Sequence, residues 1–347
     1  MNERFSDLRV LRWHDRISGI LAGERLGPIR ANLDLTNLCS HSCPWCEPLQ
    51  YREQTVRDKN HTLETDTAIH VIQDLAELDC KTLNLSGGGE PTIHPDFGLI
   101  LRFAVRQGLR TWVVTHGGLI HKWLNDLCMA HHVRISLDAS NAVEHKEMHG
   151  SKDGEFEKVC ENIAALCKVR DANKSHRPEV GIAYIVADCN SAGASLQRAF
   201  EFASSFGLDF IHFRPLSEDK PERFTGDWLK IAAEIEMMAP ACPTVQCFPL
   251  GKRWKDVFHQ REFKKCYSSL TNAVIGANGD VVACCDRRDL RFGNVNEQSF
   301  KSIWLSARQR IEAKKIVPEM CSRCLMCSYN KSVERYIINN DALPELM

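Results

Sequence analysis

The sequence predicts an α/β protein: a partial (β/α)6 TIM-like barrel followed by a small α+β domain carrying a β-hairpin. Three observations carry that expectation. Strand-like runs alternate with helical stretches as far as about residue 216. The alternation then fades as proline and charge rise. Beyond the fade, two short strand-like runs flank Gly276-Ala277-Asn278-Gly279, and Asn-Gly is a strong hairpin signal.

Phe5, Leu8, Leu11, Ile17, Ile20 and Leu21 recur at near-helical spacing and predict a lead-in helix over 6–22. Arg30 to Leu35 is expected as the first strand, running straight into a cysteine-bearing loop. Five more strands are expected at Thr82–Ser86, Thr111–Thr115, Val133–Leu137, Val180–Val186 and Phe210–Pro215. Helices near 66–78, 97–107, 119–130, 156–170 and 192–206 separate or follow them. Strands alternating with helices form right-handed parallel β-α units. Six units fall short of the eight of a closed barrel, so the barrel is expected to stay partial, with its site at the carboxyl ends of the strands. The expected organisation is a lead-in helix over 1–28, the barrel over 29–218, a connector over 219–265 and the small domain over 266–347. In that last part, Asn272–Ile275 and Asp280–Ala283 form the hairpin, followed by a helix near 298–314 and a cysteine-rich tail.

Composition narrows the function. The 347 residues are 44% hydrophobic, with 44 basic against 45 acidic side chains, as in a soluble globular protein without a general nucleic-acid-binding surface. No apolar run approaches the roughly 20 residues of a membrane span, and the N-terminus has no signal-peptide core. Sixteen cysteines in such a chain are expected as metal ligands and buried thiols in a reducing cytoplasm. Cys80, Cys128, Cys160, Cys167 and Cys189 are expected as small core residues.

Chemistry concentrates at a few places. Cys39, Cys43 and Cys46 are spaced C-x3-C-x2-C, and no further cysteine follows within thirty residues. Three thiolates can hold three irons of a 4Fe–4S cluster and leave the fourth iron open to a small molecule, since a closed cluster takes four cysteines. A zinc site completed by His41 is the alternative. The second strand ends in Ser86-Gly87-Gly88-Gly89-Glu90-Pro91, where glycines allow close backbone approach to a ligand. The third ends in Thr115-His116-Gly117-Gly118. On the fourth, Ser136 and Asp138 alternate onto one face, and Asp138 can equally cap a following helix. Near the C-terminus Cys266 and Cys284 bracket the hairpin, and Cys321, Cys324 and Cys327 follow at C-x2-C-x2-C spacing. Four of these five thiolates can close a second cluster or a zinc ribbon.

Together these motifs resemble the radical S-adenosylmethionine (radical SAM) superfamily, with a C-terminal auxiliary iron–sulfur domain of the SPASM or shorter twitch type. The resemblance spans about residues 29 to 330. It implies a SAM-binding 4Fe–4S cluster on Cys39, Cys43 and Cys46, whose open iron chelates SAM so that an electron cleaves the sulfonium to a 5′-deoxyadenosyl radical. It implies SAM contacts from Trp45, Gly87, Gly88, Gly89, Glu90, Ser136 and Asp138. It also implies one auxiliary 4Fe–4S cluster on Cys266, Cys284, Cys321 and Cys324, with Cys327 as the alternative ligand and Cys285 left over. His116 stands where the family commonly has asparagine, and it receives no role.

The expected function is therefore hydrogen abstraction from a small polar metabolite of sugar, cyclitol or nucleoside type, for oxidation or rearrangement, with the auxiliary cluster as electron acceptor. His212 and Arg214 on the last strand are candidates for the base near the radical carbon. One alternative is peptide epimerisation or crosslinking with a separate recognition protein; the 38 residues before Cys39 are too few for a built-in one or for a cobalamin domain. The other is a non-catalytic metal scaffold or electron carrier. An electron donor such as flavodoxin or ferredoxin is implied as partner. Lys252, Arg253, Lys255, Arg261, Lys264 and Lys265, interleaved with Trp254, Phe258 and Phe263, can receive such a donor or an anionic substrate, or can be a solvated face.

Overall fold

A computed structural model describes residues 7–46, 49–173, 177–216, 225–247, 262–321 and 323–339. Six parallel strands form its centre: β1 (Arg30–Asp34), β2 (Thr82–Ser86), β3 (Arg110–Thr115), β4 (His132–Ser136), β5 (Glu179–Val186) and β6 (Phe210–Pro215). They lie in chain order, each parallel to the next. A two-residue strand, β7 (Gln246–Cys247), extends the β6 edge in parallel. On the other edge β8 (Asn272–Ile275) runs parallel to β1, and β9 (Asp280–Val282) and β10 (Arg291–Asn294) follow it antiparallel. The hairpin of the small domain is thus the continuation of the barrel sheet, in the order β10-β9-β8-β1-β2-β3-β4-β5-β6-β7.

Alternation along each strand separates two environments. Ala31, Leu33 and Leu35, Leu83 and Leu85, Val113, Val133 and Ile135, and Ile182 and Tyr184 are buried in the main hydrophobic core. The helices covering that face include α3 (Thr65–Glu77), α4 (Phe97–Arg106), α7 (Glu155–Ala172) and α8 (Gly193–Ser205); α3, for example, contributes Ala68, Val71, Ile72 and Leu75. The opposite face carries Asn32, Asn84, Trp112, Arg134, Ser136, His212 and Arg214. Toward its amino end this face is packed by Trp112, whose ring lies 5.0 Å from His132 and 6.3 Å from Phe210, and the polar side chains Ser136 and Arg214 stand toward the carboxyl ends of the strands.

Several elements depart from expectation. The lead-in segment is a 3-10 turn, Asp7–Trp13, followed by α1 (His14–Ala22). The stretch expected as one helix near 119–130 is two short pieces, Ile120–Lys122 and α5 (Leu124–Leu127). The Trp123 indole between them donates to the Thr92 carbonyl at 3.0 Å, fixing the break. An additional helix, α6 (Ala142–His149), follows β4. The connector holds α9 (Trp228–Met238) and β7. The C-terminal helix near 298–314 divides at Leu305 into Phe300–Trp304 and Ala307–Lys314. Among the described residues no helix is long and apolar enough to cross a membrane. Cys80, Cys128 and Cys167 belong to the core as expected, while Cys160 and Cys189 are half-buried.

Candidate functional site

The carboxyl end of β1 delivers the chain into the cysteine loop, so Cys39, Cys43 and Cys46 stand half-buried at the barrel mouth. The loop is fastened from several sides. Leu38 donates its amide to the Thr36 hydroxyl, Ser42 to the His149 carbonyl, and Cys46 to the Cys43 carbonyl. Arg52, on α2 (Leu49–Arg57), donates to the Asn37 carbonyl at 3.1 Å and to the Cys46 sulfur at 3.0 Å. His149 donates from Nε2 to the Leu137 carbonyl, which can only accept, so its Nδ1 lone pair faces the Cys43 thiol at 3.4 Å. Burial and the neighbouring Cys39 and Cys46 push the Cys43 thiol up to about 12. Three crowded thiolates therefore need a positive centre among them, and the donor set fits an iron–sulfur cluster. One donor atom each from His41, Cys43 and His149 also lies within 4.8 Å of the others, a group that takes in neither Cys39 nor Cys46, so it is not the zinc site of three cysteines and His41.

The glycine run after β2 is pressed against this loop. A Cβ on Gly88 would sit 2.0 Å from Asn37 Oδ1, and one on Gly89 2.1 Å from the Leu38 carbonyl oxygen. Gly89 and Glu90 donate their amides to the Thr36 and Leu38 carbonyls. Glu90 is 2% exposed, and its carboxylate is turned inward. Oε1 accepts from the Thr92 amide (3.1 Å), the Thr115 hydroxyl (2.7 Å) and the Thr92 hydroxyl, and Oε2 accepts from the His116 amide at 2.8 Å. That side chain ties the second strand's loop to the third's; only its backbone belongs to the glycine run facing the mouth.

Asp138, just beyond β4, is 2% exposed and holds φ at +52°, a left-handed conformation costly for an aspartate outside a tight turn. Its Oδ1 accepts from the Ile185 amide at 2.7 Å and its carbonyl from Asn190. Burial raises its carboxyl to about 6, against the pull of the Ile185 amide and of Arg214 and Arg134. The cap of α6 is Asn141, which accepts from the Glu144 amide, so Asp138 is not a helix cap. Ser136, half-buried, ends β4 opposite Ala183, which in turn pairs with His212. Trp45 packs on Met148, Ala187 and Leu216 above β5 and β6.

Four imidazoles lie behind the cysteine loop. His41 stacks on His116 at 4.0 Å between centroids, and His149 and His145 follow at 5.2 and 4.6 Å along the chain of rings. Burial, then the other three imidazoles, pushes His41 down to about 2, so it stays neutral. His116 accepts from the Gly118 amide at Nδ1, leaving its Nε2 proton toward Ser40 at 3.1 Å.

In the C-terminal part, Cys266 reaches Ser268 at 3.3 Å. Burial first, then Cys285, Asp286 and Cys266, raises the Cys284 thiol, so these groups are neighbours. Arg287 engages Asp289 and Cys321. Asn330 accepts the amides of Tyr267 and Ser268 at 2.9 Å each and reaches the Cys324 sulfur at 3.9 Å, bringing Cys324 beside the Cys266 segment. Cys327, 2% exposed, begins the helix Cys327–Val333.

Comparison with known families agrees with this layout. Residues 33–175 match the radical SAM superfamily, and residues 266–328 match SPASM, an iron–sulfur cluster-binding domain. The chain is a radical SAM enzyme with a SPASM domain. A radical SAM domain binds SAM and a 4Fe–4S cluster, and a SPASM domain binds auxiliary iron–sulfur clusters. The chain is similar to the AdoMet-dependent heme synthase of Methanosarcina barkeri, 24% identical over 322 residues that cover 86% of this chain and 88% of that one. It is also similar to the tungsten-containing aldehyde ferredoxin oxidoreductase cofactor-modifying protein of Pyrococcus furiosus, 22% identical over 87% of this chain and 89% of that one. Among solved structures, Streptococcus suis SuiB bound to the precursor peptide SuiA superposes with a TM-score of 0.64 at 12% identity, covering 89% of this chain and 71% of that one. anSMEcpe with bound AdoMet gives 0.59 at 14% identity, over 92% and 100%.

The radical SAM domain also holds residues that sequence reading passed over. Asp34, at the end of β1, pairs with Arg288 at 2.7 Å, and the Arg288 guanidinium lies 4.3 Å over the Tyr51 ring. Tyr51 donates to Asn278 in the hairpin turn. Asp34 on the inward face of the strand was the available signal; its SPASM partner, 254 positions away, had none. His145 and His149, buried on α6 at i and i+4, had no hydrophobic pattern around them to mark the helix. Of the basic stretch, Lys252, Arg253, Trp254, Lys255, Phe258 and Arg261 lie outside the described residues, and Phe263 is buried.

Proposed function

We propose that this radical SAM enzyme abstracts a hydrogen atom from a small polar metabolite of sugar, cyclitol or nucleoside type, for oxidation or rearrangement. The observation that carries this reading is the inner face of the sheet, where Asn32, Asn84, Arg134, Ser136, His212 and Arg214 offer hydrogen-bonding groups below the cysteine loop. Cys39, Cys43 and Cys46 hold the SAM-binding cluster. Cys266, Cys284, Cys321 and Cys324 hold one auxiliary cluster; the Asn330 contact supports Cys324 over the buried Cys327 as fourth ligand. When bound, these groups and SAM supply a 5′-deoxyadenosyl radical and an acceptor for the electron released by oxidation.

The remaining work falls to the chain. Gly87, Gly88 and Gly89 present backbone at the mouth, and Glu90 fixes that loop in place. Ser136, Asp138 and Trp45 border the SAM region. In this reading His212, 6% exposed and on the inward face with Arg214, takes a proton at its ring nitrogen from the substrate carbon. The division into a lead-in helix (1–28), barrel (29–218), connector (219–265) and cluster domain (266–347), a cytoplasmic location and a protein electron donor belong to the same reading. The two enzymes similar over most of their length have names that point to cofactor-type substrates, whereas the SuiB likeness, at 12% identity, speaks to fold alone.

The test is iron, sulfide and zinc per chain after anaerobic reconstitution, for wild type and a Cys39/Cys43/Cys46→Ala variant. Two clusters falling to one, with SAM cleavage lost, is expected. Zinc in the C-terminal site would remove the electron acceptor. A substrate that returns with solvent deuterium, instead of a carbonyl product, would replace oxidation by epimerisation.

A further inference from the structure

Beside the cysteine loop, among the segments that follow β2, β3 and β4, lies a cavity of about 600 Å³. Ser40 and His41 of the loop line it, together with Thr92–Pro95, Leu119, Trp123 and three lysines, Lys122, Lys152 and Lys158. Ser40 is exposed and adjoins Cys39 in the chain, so the rim of this cavity lies within one residue of a thiol of the cysteine loop. Lys122 and Lys152 are exposed and make no ion pair among the described residues. Lys158 lies 3.7 Å from Glu155, the one carboxylate in the lining. The rim is therefore net positive although the whole chain is near neutral at −1.

We propose that this lysine rim is the docking surface for an acidic electron-transfer protein carrying a reduced flavin or iron–sulfur centre. The inference rests on the radical SAM reading above, which requires an external electron. One electron leaves the partner's centre, which is oxidised by one unit, and the loop cluster is reduced by one. The position of Glu155 argues for a protein over a small anion. Its carboxylate lies 3.7 Å from His41 Nε2, in the floor, and would oppose an anion seated there. The outer lysines instead stand where an acidic protein surface would meet them, around a half-buried Trp123 that adds apolar contact. Charge complementarity of this kind steers encounter and weakens with salt. Arg52 and the glycine run pack against the loop on another side, and the barrel interior is the ligand space.

The experiment uses the reconstituted holoenzyme, a flavodoxin as probe, and two triple variants: Lys122/Lys152/Lys158→Glu and the charge-preserving Lys122/Lys152/Lys158→Arg. Three quantities are read: probe affinity at about 50 and about 200 mM salt, the rate of cluster bleaching by reduced flavodoxin, and SAM cleavage driven by dithionite. Charge reversal is expected to weaken binding and flavodoxin-driven bleaching at least about tenfold, while the arginine variant, iron content and dithionite-driven cleavage stay at wild-type levels. Undiminished flavodoxin binding in the glutamate variant overturns the proposal. So does binding of inorganic pyrophosphate that the glutamate variant loses while its flavodoxin kinetics are unchanged. If wild type cleaves no SAM with dithionite, the radical reading fails by itself, and the binding data still decide the docking surface.

Discussion

Replacing Glu90 by alanine is the most direct test of how the two loops at the barrel mouth are held together. Its carboxylate accepts two backbone amides, from Thr92 and His116, and two hydroxyls, from Thr92 and Thr115, at 2% exposure. Each buried donor left without a partner costs about 1–3 kcal/mol. Water entering the space of the lost side chain would re-satisfy part of this, which places Glu90→Ala at about 4 kcal/mol, a large share of the roughly 5–15 kcal/mol typical of a folded protein. Glu90→Gln is a graded control. Its carbonyl oxygen can keep the three donors at the Oε1 position, and its amide then faces the His116 N–H, so one donor is stranded and about 2 kcal/mol is lost. Urea titration of the apoprotein, followed by far-ultraviolet circular dichroism, reads both values. SAM affinity of the reconstituted variants reads whether the glycine run has moved. A Glu90→Ala loss below about 1 kcal/mol with SAM binding intact would refute the anchoring argument.

Three further outcomes follow from the same geometry. Asp34→Asn or Arg288→Met, by removing one member of a pair whose side chains are 4% and 15% exposed, should destabilise by about 3–5 kcal/mol, and the double variant should lose less than the sum; urea midpoints and a double-mutant cycle check this. Gly89→Ala should cost about 1–3 kcal/mol and weaken SAM binding in a titration, because its Cβ meets the Leu38 carbonyl at 2.1 Å, and Gly88→Ala should cost less since it meets a side chain. Burial lowers His131 and His145 from 6.5 to about 4, so the stability their neutral forms provide is present above about pH 6.5 and is lost as pH falls toward 4. His131→Gln and His145→Asn should each flatten the acid limb of a stability–pH profile.

The barrel strands were legible because each has one face that must be apolar. Thr82–Ser86 and Phe210–Pro215 lie where their pattern places them, with Leu83, Leu85, Ile211 and Phe213 in the core. Helix α6 was not legible for the opposite reason. Its buried residues include Glu144, His145 and His149, and a helix that buries polar groups has no hydrophobic stripe to announce it. The cysteine spacings, the glycine run and the Asp138 position were visible as local motifs. The roles of Glu90 and of the imidazoles around His41 depend on side chains from separate loops and became visible only in three dimensions. The same holds for β7, two residues long, for which no period exists to be read.

The pairing of β8 with β1 changes how the two halves of the chain are coupled. Were the SPASM part a tethered satellite, a change near Cys284 would reach the barrel only through a linker. Instead, Arg30 to Leu33 of β1 align with Asn272 to Ile275 of β8, and β1 is the strand that leads into the cysteine loop. Arg288, from the loop after β9, reaches Asp34 at the carboxyl end of that strand, and the Asn278 turn accepts from Tyr51 on the helix after the cysteine loop. Cys39 follows β1 and Cys284 follows β9, two strands away in the same sheet, and a charged pair and a cation–ring contact link the segments that leave them. Rearrangement of the Cys284–Arg288 segment must therefore move Asp34, or break its pair, and either effect arrives three residues from Asn37 and five from Cys39. Order around Cys284 and geometry around Cys39 are parts of one packed structure.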